Sequence, residues 1–290
     1  MKRKFDILTD SACDMPKGYL EEKDVTCVRL GFTLNGVEYE GENGERMAEK
    51  TFYQKLRDGA MPTTYQIAPE TARAYMEKSL KAGRDLLVVT FSSGLSGTAE
   101  SFFLAQRELQ KKYPKRKIFV VDSLCASMGE GLLLDYVVKK ADKGAEIEET
   151  AAYAERLKKK ICHHFTVDNL FHLKRGGRIN ATTAFVGSIL KIKPIMHVDD
   201  NGKLVALSKV IGRKKALKTL VENVVKSADM EEGEPIFISH GDCEEDVQFV
   251  EGLLKASFPL SPITVHYVGT VIGSHSGAGT LAIFHKGTKR

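Results

Sequence analysis

The chain opens on a short apolar run, Phe5 to Leu8 with Asp6 inside it, that stops at Thr9-Asp10. The same unit recurs. Apolar runs of strand length occupy residues 25–32, 86–91 and 118–121, and the last two give way at once to hydroxyl-rich or acidic residues. Between the runs, apolar side chains fall three and four apart, as in Ala72, Tyr75, Met76 and Leu80, or Ala99, Phe102, Phe103 and Leu109. Apolar strands alternating with amphipathic helices predict a parallel, doubly wound sheet. Helices are expected over 47–58 and 69–82, the second with Pro69 in its first turn, where the missing N–H leaves no bond unmade. Asn35-Gly36 in FTLNGVEYE predicts a hairpin, because that pair tolerates the positive φ of a two-residue turn.

The second half is patterned differently. HHFTVD reads as a strand, followed by the Gly-rich LKRGGRIN and an expected helix near 181–191. KPIMHVDDNGKLVALSKV predicts a hairpin turning at Asn201-Gly202. Helices are expected at about 213–228 and 243–256, and strands in EPIFISHGD, PITVHYVG and TLAIFH. Hairpins mixed with crossover helices imply a mixed sheet. At 290 residues the chain is long for one core. The fold expected is α/β with two domains: an N-terminal parallel α/β sheet over 1–155 and a C-terminal mixed-sheet α/β domain over 156–290. Near the end, VIGSHSGAG reads as an apolar run that stops at Gly273 and presents His275 on a turn of small residues.

Composition narrows the function classes. Apolar content of 42% and charged content of 28% are ordinary globular values. The net charge of +5 is dispersed in clusters on or beside predicted helices. Solvated helix faces explain them better than a nucleic-acid footprint, which needs one concentrated stripe. Five cysteines, odd in number and with no C-x-x-C pair, fit a reducing compartment and supply no zinc or disulfide framework. No His/Asp/Glu spacing resembles a metal site, so neither metal nor cofactor is expected. The N-terminal apolar stretch is too short for a signal peptide, and no run approaches a membrane span. A cytoplasmic protein without stable membrane insertion is expected.

Candidate chemistry gathers after the strands, at Asp10-Ser11, Ser92-Ser93 and Asp122-Ser123. In open parallel sheets ligands sit beyond these strand ends. SSGLSGT carries four hydroxyls and two glycines in seven residues, more than one helix cap requires. It matches neither G-x-x-x-x-G-K-[ST] nor G-x-G-x-x-G, although such a loop can receive a phosphate or carboxylate on helix N-terminal amides. Ser93 and His275 are candidates for a hydrolytic pair, but no G-x-S-x-G elbow exposes the serine. Arg175 and Arg178 flank two glycines in LKRGGRI, which suits either a solvated loop or bidentate recognition of phosphate.

Taken together, ILTDSACDMP, PTTYQ, TFSSGLSGTAES, VVDSLCASMGEG, LKRGGRI and VGTVIGSHSGAG resemble the DegV family of bacterial fatty-acid-binding proteins, in order and from end to end. The resemblance implies a non-catalytic carrier: a long-chain fatty acid with its carboxylate at the domain interface and its acyl chain in the C-terminal domain. It also implies a partner, a separate fatty acid kinase that makes the acyl phosphate for phospholipid synthesis. Carried over by position, the carboxylate contacts are Thr64, Ser92, Ser93 and His275. Ser276, Gly94 and Gly277 support them, and Arg175 and Arg178 face the kinase and its phosphate. A stand-alone Ser/His esterase or phosphotransferase acting on acyl substrates is the alternative. The chain departs from the family pattern at Tyr65, at Ala278 and near Ile211.

Overall fold

A computed structural model describes residues 3–16, 18–179 and 191–290. The first half runs β1 (Asp6–Asp10), α1 (Tyr19–Glu22), β2 (Val25–Val28), β3 (Gly31–Leu34), β4 (Val37–Glu40), α2 (Glu49–Arg57), β5 (Thr63–Tyr65) and α3 (Pro69–Lys81). It continues with β6 (Leu86–Thr90), α4 (Thr98–Lys112), β7 (Ile118–Asp122), α5 (Met128–Asp142) and α6 (Ile147–Leu157). The second half runs β8 (Ile161–Thr166), α7 (Phe171–Arg175), β9 (Ile192–Val198), β10 (Leu204–Ile211), α8 (Arg213–Ser227) and β11 (Ile236–His240). It ends with α9 (Glu244–Ser257), β12 (Ile263–Tyr267), α10 (Thr270–Ser276) and β13 (Leu281–Lys286).

The apolar runs of the first half form a four-stranded parallel sheet in the order β2-β1-β6-β7. β6 is buried at every position, as its unbroken apolar sequence requires. Leu86 and Val88 pack toward Met76 of α3 and Phe102 of α4, while Leu87 and Val89 pack toward Leu132 and Val137 of α5. Alternate side chains thus serve opposite faces, which is the doubly wound arrangement the periodicity predicts.

Among the described residues the second half forms a six-stranded mixed sheet in the order β10-β9-β8-β13-β11-β12, in which β11 and β12 run parallel and the other pairs antiparallel. One face carries α8 and α9 over Leu217, Leu220, Ile238 and Leu254. The other face meets α5, whose apolar side chains share one core with Phe165, Phe237 and Phe284. α5 is therefore enclosed between the two sheets, and its residues from Met128 to Val138 are all buried. No amphipathic stripe could serve a helix with two apolar neighbours.

Two features depart from the sequence reading. The β3–β4 hairpin turns at Asn35-Gly36 as expected, but with β5 it makes a separate three-stranded antiparallel sheet. VIGSHS is a helix, α10, rather than a turn of small residues. Packing selects this: a Cβ at Gly273 would lie 2.6 Å from the Tyr53 hydroxyl and 2.9 Å from the Phe52 ring, so glycine lets the helix lie against α2. The helix expected near 181–191 lies outside the described residues except at Lys191. The 155/156 division falls inside α6.

The halves also meet at the loop after β6. Ser92 donates its hydroxyl to the Gly202 carbonyl at 2.8 Å, and a Cβ on Gly94 would sit 2.5 Å from the Asn201 carbonyl oxygen. Gly94→Ala must push backbone against backbone there, so a loss of about 1–3 kcal/mol is expected in urea unfolding. An unchanged unfolding midpoint would show that this seam is not closely packed.

Candidate functional site

α10 is the element around which the site is built. Gly269, extended at its N-cap, starts the helix where the Tyr53 hydroxyl donates to the Val268 carbonyl at 2.6 Å. The helix then crosses β5, and Thr64 Oγ1 lies 2.8 Å from His275 Nε2. Arg175, the last residue of α7, fixes this register. Its Nη2 donates to the Pro62 carbonyl at 3.1 Å and to the Ser274 carbonyl at 3.0 Å, so one guanidinium ties the approach to β5 to the turn that carries His275.

Thr64 and His275 open onto a largely apolar cavity of about 200 Å³, walled by both halves. Phe91, Leu95 and Leu30 contribute from the first half, and Phe165, Phe284 and Ile272 from the second. Burial, followed by the nearby guanidinium groups of Arg178 and Arg175, pushes the His275 imidazole down to about 4, so it is neutral at physiological pH. Its Nδ1 is buried without a partner among the described residues. A neutral imidazole has one donor and one acceptor. With the proton on Nε2, His275 donates to Thr64 Oγ1, and the threonine proton is left to turn into the cavity. Ser276 Oγ, also at the cavity wall, is buried and has no partner among the described residues. The site can therefore offer uncharged donors to one anionic group while the rest of the ligand meets hydrocarbon.

The structure distributes the remaining candidates differently. Ser92 is fully buried and commits its hydroxyl to Gly202, while the same oxygen accepts from Gly94 N at 3.1 Å. Ser93 is exposed and outside the cavity wall, and its amide donates to Asp122. Neither serine is brought to His275. Gly94 serves the close approach to Asn201-Gly202, and Gly277, with φ +81°, ends α10 beside the His172 ring. Arg178 lines the cavity, but its Nε donates to the Leu95 carbonyl at 3.0 Å and its Nη1 to the Gly176 carbonyl at 2.5 Å. Tyr65 lays its ring over Gly31, its partner across the β3–β5 ladder.

Sequence reasoning passed over Gln66, Ser96 and a polar group on the far wall. Gln66 lines the cavity with its amide against Gly97, and Ser96 Oγ lies 3.0 Å from Thr98 Oγ1. Thr64, Tyr65 and Gln66 all line the cavity, so its place beside Thr64 in PTTYQ is the signal that points to Gln66. Ser127 and Ser239 also line the cavity. Ser127 donates to Asp14 Oδ2 at 2.6 Å and lies 3.0 Å from Ser239 Oγ. Burial raises the Asp14 carboxyl to about 7. No sequence spacing links residues 14, 127 and 239.

His275 yields a direct check. An unfolded imidazole takes up its proton near pH 6.5, whereas the folded one waits until about 4. The unfolded state thus binds more protons in that window, and the contribution of this group to stability, intact above 6.5, is lost as pH falls toward 4. Titration followed by NMR should leave the His275 ring neutral at pH 5.5. A midpoint at the ordinary value would contradict a buried, guanidinium-flanked ring.

The family model described as "Uncharacterised protein, DegV family" matches residues 4–286. A DegV domain-containing protein of Clostridium perfringens is 41% identical over 285 residues, covering 98% of each chain. Among solved structures, a DegV family protein from Thermus thermophilus described by its fatty acid binding superposes with TM-score 0.88 at 30% identity, over 99% of this chain and 100% of its own. DegV of Bacillus subtilis, described as a fatty acid binding protein, superposes with TM-score 0.82 at 30% identity over 98% and 99%. A matching family model over nearly the whole length, a relative at 41% identity and the same fold in both halves have one consequence: this chain belongs to the DegV family.

Proposed function

We propose that this protein is a carrier for a long-chain fatty acid, with the carboxylate received at Thr64 and His275 and the acyl chain in the cavity lined by Phe165, Leu173 and Phe284. The observation that carries the reading is the pairing of a hydrogen-bonded, uncharged Thr64–His275 unit with an apolar cavity between the two sheets. Solved relatives at 30% identity described as fatty acid binding support it. Each buried methylene contributes about 0.8 kcal/mol, so the chain supplies the affinity. The carboxylate needs only enough hydrogen bonds to offset its desolvation, and in this reading Thr64, Ser276 and Gln66 give them.

The reading includes presentation of that carboxylate to a separate kinase. Neutral donors leave an oxygen nucleophilic, whereas a guanidinium fork would hold both. Arg175 and Arg178 fit this reading as braces of the site, because both engage backbone carbonyls around it. The competing esterase reading needs Ser93 against His275 and an acid on Nδ1. Ser93 is exposed and outside the cavity, and the imidazole Nδ1 has no partner among the described residues.

Mass spectrometry of an organic extract from protein purified out of lipid-replete cells should find a long-chain fatty acid in stoichiometric amount. Thr64→Val and His275→Ala should each weaken rebinding about tenfold or more, as expected for a hydrogen bond to a charged group worth ~1.5–3 kcal/mol. A lipid-free extract together with no uptake of added fatty acid would refute the carrier. Turnover of acyl esters by the pure protein, abolished in Ser93→Ala, would establish the enzyme instead.

A further inference from the structure

Adjacent histidines on β8 serve opposite faces of the mixed sheet. His163 turns to the cavity and meets the Phe284 ring edge-on. His164 turns the other way, together with Cys162 two residues earlier, toward the C-terminal end of α8. On the neighbouring strand β13, His285 stands directly opposite Cys162 and projects to the same side. One ligating atom from each of Cys162, His164 and His285 lies within 4.8 Å of the others, and all three residues are buried. The two imidazoles stack with centroids 5.3 Å apart. Both Nε2 atoms converge on Ser227 Oγ, at 3.0 Å from His164 and 3.2 Å from His285.

The hydrogen bonds at that point do not close. His285 Nδ1 lies 2.9 Å from the Lys286 carbonyl, so it must carry the ring proton and Nε2 must be a lone pair. Ser227 Oγ also lies 2.8 Å from the Asn223 carbonyl. One hydroxyl proton is therefore shared between two acceptors. A backbone carbonyl holding the far nitrogen is also the device by which metal-ligating histidines are oriented.

We propose that Cys162, His164 and His285 bind a single copper(I) ion, held by the thiolate sulfur and one nitrogen of each imidazole. Softness points to a thiophilic closed-shell cation, copper(I) or zinc(II). Charge selects between them. No carboxylate joins the three among the described residues. One thiolate neutralises a monovalent ion but leaves a divalent one with uncompensated buried charge. On binding, the Cys162 S–H bond breaks and a sulfur–copper bond forms, and the proton passes to solvent with no change of oxidation state. The thiol now donates to the Lys289 carbonyl at 3.1 Å, and Thr288 N donates to the Ser227 carbonyl at 3.1 Å, so residues 287–289 pack over the cluster.

The test is anaerobic titration of the full chain with copper(I) alone against a chromophoric copper(I) competitor, with zinc(II) in a parallel series. Stoichiometric copper(I) binding is expected, with one sulfur and two nitrogen ligands by X-ray absorption. Cys162→Ser and His285→Ala should weaken it at least about tenfold, while Cys243→Ser, at a thiol outside the cluster, leaves it unchanged. Ser227→Ala keeps all three ligands and removes the competing hydroxyl. It should bind as tightly or more so, which separates lost ligation from lost folding. Failure to bind copper(I), binding that survives Cys162→Ser, binding lost in Ser227→Ala, or zinc(II) held in preference would each overturn the proposal.

Discussion

The hydrogen bond from the Tyr53 hydroxyl to the Val268 carbonyl joins residues 215 positions apart and sets where α10 begins. The cavity depends on that placement, because α10 belongs to the second half in sequence yet packs on α2 and β5 of the first. Glycine at 273 lets α10 come close, and Arg175 holds its far end by the Ser274 carbonyl. Apolar contacts alone would leave the helix free to slide, since burial is non-directional. Directed bonds at both ends fix the one register in which His275 meets Thr64.

Burial then determines the chemistry. In the water-poor seam the imidazole is neutral, and the flanking guanidinium groups reinforce this by opposing a second positive charge. The arginines are themselves engaged by backbone carbonyls, so they lend positive potential while bracing the site. A carboxylate would find uncharged donors and a favourable field there. Behind the cavity-lining Ser127, the Asp14 carboxyl, raised to about 7 by burial, accepts that residue's hydroxyl hydrogen bond.

The alternating sheet and its helices were legible because apolar periodicity reports burial directly, and the hairpins at Asn35-Gly36 and Asn201-Gly202 because their turns need particular residues. β5 was not, since three residues with an exposed, half-buried, exposed pattern carry no apolar signal. α10 was hidden by its own small residues, whose helix is selected by Phe52 and Tyr53 rather than by propensity. At the site, residue types were readable and directions were not. SSGLSGT announces hydroxyls, but only packing assigns Ser92 to the Gly202 carbonyl, Ser96 to the cavity wall and Thr98 to the amide of Ile67. Cys162 and His285 are likewise invisible as a pair until β8 and β13 are in register.

The central claim is that a fatty acid carboxylate is received by Thr64 and His275 rather than by the hydroxyl-rich loop as a whole. NMR of the protein loaded with a carboxyl-labelled long-chain fatty acid addresses it most directly. Through-space contacts or shift perturbations should link the labelled carboxyl to the His275 ring and the Thr64 side chain, with Ser93 unaffected. A carboxyl that reports on Ser93, or one exposed to solvent and indifferent to Thr64→Val and His275→Ala, would contradict the account.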